Sequence, residues 1–228
     1  MKYFITLALL FTSLCKIFAQ EKYLEYNLNA SVFDNTNYSY QIYFSSEKGV
    51  YYYNKKIFDT DRVPSIKISP LGNEVFMILD NKIALYDPYQ YKLTNEIKSP
   101  IRNLDIENII PDTYGDIFYI TTTNGLLFET KVREKKMDLK QIQLSSFVSK
   151  GIWNTNLNSL LLADDYNLFY LNPINREETE KVKMSTDITA LNVDSSAYNV
   201  YVGHSNGEVR IISQDLKEEI KTLKVSNN

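Results

Sequence analysis

The feature that most constrains the fold is one pattern that recurs five times along the chain. Each copy has an apolar, β-rich run, a short polar turn and a second apolar run, which is the pattern of a β-hairpin. The residues that close the turns are separated by 33, 43, 42 and 40 positions: Gly49, Lys82, Gly125, Asn167 and Gly207. A period of this length is typical of repeat architectures in which each copy is one supersecondary unit.

The hairpin turns carry residues that suit a tight reversal of the chain. Lys48-Gly49, Asn124-Gly125 and Asn206-Gly207 place glycine where a two-residue hairpin needs a positive φ. Asn81 and Asn167 stand at the other two turns, and asparagine is the next most tolerant residue for that conformation. The turns are therefore predicted to recur together with the strands.

Two further candidate strands flank each hairpin, so each repeat is predicted to hold four strands. The candidates ahead of the hairpins are residues 22–28, 65–69, 101–108, 151–154 and 188–194. The candidates behind the last four hairpins alternate apolar with charged residues, as a half-exposed edge strand does. The sequence does not decide whether the first repeat has a fourth strand in the short polar stretch 55–60.

The hairpin strands are apolar almost without interruption, as in residues 75–79, VFMIL, and 160–162, LLL. A strand that is apolar on both faces has to be covered on both, and stacked antiparallel sheets provide this cover. The sequence therefore predicts an all-β fold, a β-propeller of about five four-stranded blades, as either a closed or an incomplete, open ring. The approximate blades are residues 21–60, 61–100, 101–144, 145–185 and 186–228.

Residues 188–194, ITALNVD, followed by 201–211, YVGHSNGEVRI, have the layout of a known repeat, and residues 66–76, IKISPLGNEVF, share it. In these segments the chain resembles WD40-like and YVTN-type β-propeller repeats, over roughly residues 39–228. The Trp-Asp dipeptide of true WD40 repeats is absent, and Gly203-His204 lies in a hairpin rather than at the start of a repeat. The resemblance implies an architecture and names no partner.

Residues 1–20 have the pattern of a secretory signal peptide. Lys2 precedes an apolar run over residues 3–14, and small Ala19 follows at the expected cleavage region. The run is shorter than the roughly 20 residues that cross a bilayer, so we expect cleavage and a secreted or periplasmic protein. Cys15 raises the alternative of a lipoprotein signal, although Thr12-Ser13-Leu14 is a poor match to the small residues that such processing prefers.

Charge and cysteine content exclude several classes of site. The formal net charge is −3, and residues 1–20 contain Lys2, Lys16 and no acid, so residues 21–228 carry −5. A mildly acidic chain is not expected to bind nucleic acid, which requires clustered lysine and arginine. Cys15 is the only cysteine, so residues 21–228 hold no disulfide and no thiolate metal site. No second apolar stretch is long enough to span a membrane.

The residues that could form a metal site are more simply explained by structural roles. His204 is the only histidine, and Ser205-Asn206-Gly207 after it are turn formers, so we expect a turn rather than a metal ligand or catalytic base. Asp59-Thr60-Asp61 and Asp164-Asp165 lack the spaced acidic ladder of a calcium loop. No glycine-rich phosphate loop is present either, so neither a metal nor another cofactor is expected.

Three further features allow a functional interpretation beside a structural one. Asp105 and Asp187 lie on or beside inner-strand candidates, where a pair of carboxylates would suit a propeller-type glycoside hydrolase. Trp153 is the only tryptophan, and it either packs between blades or offers a stacking surface for a sugar or peptide. The run Tyr51-Tyr52-Tyr53 more simply packs both sides of a blade, because alternate strand residues point to opposite faces.

The favoured interpretation is an exported, non-enzymatic propeller that binds a protein, peptide or glycan through loops at one end. Five repeats with few catalytic side chains motivate it, since propellers host many unrelated functions. One alternative is the glycoside hydrolase with channel carboxylates. The other is a segment of a larger propeller that is assembled between chains, with self-association through an open blade edge.

Overall fold

The computed structural model describes residues 34–38, 41–46, 49–52, 55–59, 65–79, 82–98, 106–131, 139–194 and 196–224. These residues form twenty strands and no helix. None of them belongs to a helix that could cross a membrane. The strands are β1 Asp34–Tyr38, β2 Gln41–Ser46, β3 Gly49–Tyr52, β4 Lys55–Phe58, β5 Ser65–Ile68, β6 Val75–Leu79, β7 Lys82–Asp87, β8 Lys92–Lys98, β9 Ile106–Pro111, β10 Ile117–Thr122, β11 Leu127–Lys131, β12 Lys140–Ile142, β13 Lys150–Asn154, β14 Ser159–Ala163, β15 Asn167–Leu171, β16 Val182–Lys183, β17 Ile188–Val193, β18 Asn199–His204, β19 Glu208–Ser213 and β20 Glu219–Lys224.

The strands form five four-stranded sheets in which sequence neighbours pair: β1–β4, β5–β8, β9–β12, β13–β16 and β17–β20. The pairing is antiparallel, as in the hairpins β6–β7, with Val75 opposite Tyr86, and β14–β15, with Leu160 opposite Leu171. Each sheet is therefore a simple meander, and the predicted all-β class with five four-stranded units is confirmed.

The chain divides into two compact units, residues 1–66 and 67–228. In the first unit, Tyr43 and Val50 are fully buried and Tyr51 is nearly so. The ring of Tyr43 stacks on that of Tyr52, with centroids 5.0 Å apart. Tyrosine therefore supplies much of the packing of this sheet, because each ring removes a large apolar area from water.

In the second unit, central hairpin strands such as β14 are buried on both faces, whereas β18 alternates between buried and half-buried residues. Leu160 and Leu162 of β14 belong to one apolar cluster with residues of β9–β12, while Leu161 and Ala163 belong to another with residues of β17–β19. Successive side chains of a strand point to opposite faces, so an uninterrupted apolar run serves both clusters. Each fully buried leucine contributes about 1.5–3 kcal/mol to folding. The expectation that a sheet covers each face is confirmed here.

The first strands of neighbouring sheets approach closely at Gly151. A Cβ at this position would lie 2.4 Å from Cδ1 of Ile110 and 2.9 Å from Cδ2 of Leu162. The Asn108 side-chain amide also donates a hydrogen bond to the Gly151 carbonyl over 3.0 Å. Glycine is therefore needed at this position so that β9 and β13 can lie side by side.

Three details differ from the sequence predictions. The strand that pairs with β2 is β1 at residues 34–38, DNTNY, a segment too polar to be recognised as a strand, whereas the predicted strand 22–28 lies outside the described residues. The structure describes β9 only from Ile106, and it runs to Pro111. Asn167 has no positive φ, because its turn is instead organised by bonds to the Asp164 carboxylate.

Candidate interaction surface

In each sheet, a first turn joins strands one and two, a second turn closes the hairpin, and a third turn joins strands three and four. Because neighbouring strands are antiparallel, the first and third turns lie at one end of a sheet and the second turn at the other. In the second unit the first turns span residues 69–74, 112–116, 155–158 and 194–198. These four segments form the centre of the candidate surface.

One residue of each first turn has a left-handed backbone conformation: Gly72, Gly115, Asn158 and Ala197, at φ of 72°, 78°, 48° and 56°. Only two of the four are glycine, the residue that adopts this conformation at no steric cost. The recurrence was therefore hidden in the sequence, since asparagine and alanine give a weaker turn signal.

The residue before the left-handed position points a large apolar side chain into solvent in three successive turns. These are Leu71, Tyr114 and Leu157, which are 37%, 63% and 41% exposed and lie 43 positions apart. In the fourth turn Tyr198, 62% exposed, follows the left-handed residue instead. This constant spacing was the signal in the sequence that the hairpin-centred prediction missed.

The first turns are bonded to one another across neighbouring sheets. The Asn73 amide donates to the Tyr114 carbonyl over 3.4 Å, and Trp153 Nε1–H donates to Thr113 Oγ1 over 2.7 Å. The Asn156 amide donates to the Ser196 carbonyl. Bonds between turns thus join 69–74 to 112–116 and 155–158 to 194–198, while Trp153 of β13 binds the turn 112–116. The exposed side chains of these turns therefore lie at the same end of neighbouring sheets.

Polar side chains hold the shape of each first turn. Ser69 Oγ accepts hydrogen bonds from the N–H groups of Asn73 and Glu74. Asp112 Oδ1 accepts from the Gly115 N–H over 2.7 Å, and partial burial raises the pKa of Asp112 despite the backbone donors around it. Different side chains thus fulfil one capping role, which reduces the freedom of the exposed residues.

The third turns extend the apolar surface. Tyr89 and Tyr91 lie in the third turn of the β5–β8 sheet, and Ile174 in that of the β13–β16 sheet, each more than half exposed. Together with the first-turn side chains they form what we call the apolar end surface: Leu71, Tyr89, Tyr91, Tyr114, Leu157, Ile174 and Tyr198. It holds seven of the twelve large apolar side chains that are exposed among the described residues.

At the opposite, hairpin end of the sheets, connections between sheets form hydrogen bonds with the hairpin turns. The Val148 N–H donates to the Gly125 carbonyl over 3.1 Å, and the Met184 N–H donates to the Tyr166 carbonyl over 2.7 Å. Among the described residues of the hairpin turns and connections, only Phe147 and Tyr166 are large, apolar and exposed. The apolar character of the surface is therefore concentrated at the end with the first and third turns.

Only one of the two predicted channel carboxylates can be placed. Asp187 lies in the exposed connection before β17, and a hydrogen bond from the Tyr166 hydroxyl to its carboxylate raises the pKa of Tyr166. Asp105 lies outside the described residues. The pairing of Asp105 with Asp187 that the hydrolase hypothesis requires therefore stays a prediction.

His204 starts the second turn of its sheet, as expected, because its carbonyl accepts the Gly207 N–H. Its ring is nevertheless buried, and Nδ1 lies 3.2 Å from the Thr186 carbonyl, which makes Nδ1 the protonated nitrogen. The sequence did not predict this bond between the hairpin and the preceding connection. Across the described residues no three His, Cys, Asp or Glu side chains are grouped as a metal site would require.

The acidic pairs have structural partners. Asp164 Oδ1 accepts hydrogen bonds from the N–H groups of Tyr166 and Asn167 over 2.8 and 2.6 Å, as the turn interpretation requires. Asp59 forms an ion pair with Lys56, while Asp61 lies outside the described residues.

The aromatic candidates pack rather than line a site. Trp153 is 5% exposed and stacks on Tyr119, with centroids 5.9 Å apart. This agrees with the packing interpretation of Trp153. Tyr51 is buried and Tyr52 half-buried, and Tyr53 lies outside the described residues.

No family model matches the sequence, and no curated protein matches it either. Three solved structures share the fold. The Cps50 (Swd1) beta-propeller domain of Myceliophteria thermophila has a TM-score of 0.67 at 12% identity, over 83% of this chain and 70% of that one. Hydrazine synthase of Kuenenia stuttgartiensis has 0.57 at 13%, over 72% and 49%. The dihydro-heme d1 dehydrogenase NirN has 0.55 at 17%, over 71% and 36%.

Identities this low carry information on the fold alone. The chain spans about half of the hydrazine synthase chain and about a third of the NirN chain, so much of each enzyme has no counterpart here. Five four-stranded antiparallel sheets, with a beta-propeller domain among their structural neighbours, show that this chain has the β-propeller architecture.

Proposed function

We propose that this protein is a non-enzymatic binding module built from WD40-like or YVTN-type repeats, which is exported and binds a protein segment. The apolar end surface is the binding site in this proposal. The signal-like residues 1–20 motivate the export, and the low count of candidate catalytic groups motivates the absence of catalysis.

One observation carries the proposal. Large apolar side chains recur at the same place in three successive sheets, in the exposed turns at one end, and hydrogen bonds join the turn 69–74 to 112–116 and the turn 155–158 to 194–198. Single exposed apolar residues are common on proteins, whereas a contiguous group marks an interaction site. Tyrosine is also among the residues that contribute most at protein interfaces.

A protein segment fits this surface better than a glycan does. Tyr114 offers a flat ring on which a sugar stacks, but Leu71 and Leu157 stand at the equivalent positions of their turns and offer no ring. Leucine and tyrosine together suit apolar side chains of a peptide, which bury area without a preferred stacking plane. We therefore propose a protein or peptide partner, and binding of a glycan is an outcome that the test must distinguish.

A photo-crosslinker in place of single residues tests the site directly. We would introduce benzoylphenylalanine at position 114 and, as a matched control, at position 166, because Tyr166 is an exposed tyrosine at the hairpin end. Both variants are irradiated with the exported proteins of the source cell. We expect a discrete protein adduct from position 114 that is absent from position 166, and that is lost when Leu157→Ala is added.

Two results would contradict the proposal. Adducts of equal yield from both positions would mean that the apolar end surface has no special role. If the adduct at position 114 carries sugar and no peptide, the partner is a glycan and the proposed protein partner is wrong.

The hydrolase alternative has its own test. If the purified chain cleaved a glycan and Asp187→Asn lowered the rate by a factor of about 100 or more, the non-enzymatic assignment would be wrong. We expect no turnover, and the same result for the Asp187→Asn variant as for the unaltered chain.

A further inference from the structure

We propose that the partner segment is basic, with lysine or arginine beside the apolar side chains that contact the apolar end surface. This inference rests on the proposed function, since it specifies the chemistry of the partner at the same surface. It is carried by the distribution of charge over the turns that form the surface.

The first turns carry four carboxylates, and no lysine, arginine or histidine occurs within them: Glu74, Asp112, Asp116 and Asp194. Hydrogen bonds from Ser196 and Asn199 outweigh the effect of burial and lower the pKa of Asp194, so this group is ionised at neutral pH. Three of the four first turns therefore carry negative charge, and the turn 155–158 carries none.

The three cations of the described third turns each have a contact within the fold. Arg176 binds the Glu129 carboxylate over 2.6 Å, and Lys217 lies 4.0 Å from the Asp215 carboxylate. Lys181 donates to Ser146 Oγ and lies over the Phe169 ring. These third turns, 88–91, 172–181 and 214–218, hold five acids against these three bases.

Summed over its described turns the surface is negative, because the first turns hold four acids and no base and the third turns hold five acids and three bases. The turns 88–91 and 155–158 carry no charge. The connection 132–138, which lies outside the described residues, has a net charge of +1 in the sequence and does not reverse this sum. A basic partner would be attracted to such a surface and would associate faster at low ionic strength.

The same charges argue against a second copy of this chain as the occupant. A two-fold interface places equal surface patches on each other, so the four first-turn carboxylates of one copy would face those of the other. Like charges opposed in this way disfavour association. The chemistry that complements both the apolar and the acidic character is a segment with apolar anchors and cationic flanks.

Selection from a random peptide library on phage, with the immobilised full chain as target, tests this inference. One variant, Glu74→Lys with Asp116→Lys, reverses charge at the first turns, and Asp165→Lys adds positive charge at the hairpin end as a control. Tyr114→Ala with Leu157→Ala removes the anchoring surface. The probes are the library and the peptides selected from it.

We expect the unaltered chain to select aromatic or aliphatic residues flanked by lysine or arginine. The best peptide should bind about tenfold more weakly at roughly 500 mM than at 50 mM salt. Added salt shortens the Debye length and so screens the attraction between the peptide and the carboxylates. The charge-reversed variant should lose the preference for basic residues, whereas the Asp165→Lys control should keep it. Tyr114→Ala with Leu157→Ala should lose binding of all selected peptides.

The outcomes separate the two proposals. If apolar peptides without lysine or arginine are selected and their binding depends on Tyr114 and Leu157, the basic partner is wrong and the binding site stands. If the selected peptides bind the Tyr114→Ala, Leu157→Ala variant equally well, both fail. If no sequence is enriched, the basic segment is rejected, and the crosslinking experiment at position 114 decides on the site separately.

Discussion

At the scale of single residues, carboxylates in this chain shape turns. Asp164 accepts the N–H groups of Tyr166 and Asn167, and both of its oxygens bind the Asn167 side chain. Partial burial alone would raise the pKa of Asp164, but these hydrogen bonds outweigh it and lower the pKa. The ionised carboxylate is therefore the form that the folded turn favours.

Replacing Asp164 should cost stability in a way that depends on pH. We expect Asp164→Ala to lower the free energy of unfolding by about 1–2 kcal/mol at neutral pH, because three donors lose their acceptor. Since the folded pKa is below the unfolded value, the contribution is present above roughly pH 4 and is lost as the pH falls through the folded pKa. Urea unfolding of both proteins from pH 7 to pH 2.5 measures this.

Asp165→Ala is the matched control for that series, because its side chain is exposed and its structural contact is made by the backbone carbonyl. It should change the free energy of unfolding by less than about 0.5 kcal/mol at every pH. If the free energies of unfolding of Asp164→Ala and the unaltered chain differ by the same amount at every pH down to 2.5, the charge of Asp164 has no role.

Some roles of single residues could be predicted from the sequence, and others could not. The turn role of Asp164 and the packing role of Trp153 were predictable, because aspartate favours tight turns and a lone tryptophan favours a core. The exposed Leu71, Tyr114 and Leu157 have a constant spacing of 43 positions, which is a sequence signal, but the letters alone do not show that their loops are neighbours in space. The bonds between first turns show which of these turns are neighbours.

At the scale of elements, the first turn of the β13–β16 sheet depends on one buried amide. The Asn154 side chain donates to the Tyr170 hydroxyl and the Ala197 carbonyl, and accepts the N–H groups of Asn156 and Leu157. Burial raises the pKa of Tyr170 to about 12, and the bond to Asn154 opposes that rise. Asn154 thus links β13, β15 and two neighbouring turns.

Removing this amide should therefore be costly. We expect Asn154→Ala to lower the free energy of unfolding by about 2–4 kcal/mol, because several buried polar groups lose their partners at once. Thr155→Ala, in the next and exposed position, should cost less than about 0.5 kcal/mol. Denaturant titrations of the three proteins measure both values, and a cost below about 1 kcal/mol for Asn154→Ala would contradict this role.

The outer strand β20 bears on self-association. All six residues from Glu219 to Lys224 are exposed, and among the described strands only β19 pairs with it. Its apolar Ile220 and Leu223 alternate with lysines at 221 and 224, and charged side chains on an edge strand oppose further pairing. We therefore predict that β20 does not recruit a second chain.

Light scattering of the chain after size-exclusion chromatography checks this prediction. We expect a single species with the mass of one chain over micromolar concentrations. A dimer that returns to a monomer on Ile220→Lys would contradict it and would support assembly between chains.

The elements were predictable to the extent that their residues are apolar. The hairpin strands β6, β7, β14 and β15 follow almost uninterrupted apolar runs, so their existence and order were clear from the sequence. The hairpin of β18 and β19 is more polar and was recognised with the help of its Asn206-Gly207 turn. β1 at residues 34–38 was missed because its letters are polar. The left-handed Asn158 and Ala197 in the first turns were missed because that conformation is set by the sheet geometry rather than by glycine.

In the whole molecule, the repeat has two structural consequences. Within residues 67–228, apolar strands bury both faces of the central sheets, and this packing brings the first turns of successive sheets together. The turns then present large apolar side chains among carboxylates at one end. The central claim is that this end, rather than the hairpin end, binds the partner.

Amide hydrogen exchange of the full chain, with and without the partner captured at position 114, tests that claim most directly. We predict that bound partner slows exchange in residues 71–74, 113–116, 155–158 and 196–198, and leaves the hairpin turns 123–126, 164–166 and 205–207 unchanged. Protection of the hairpin turns, or of the connection around Asp187, with no change in the first turns would contradict it.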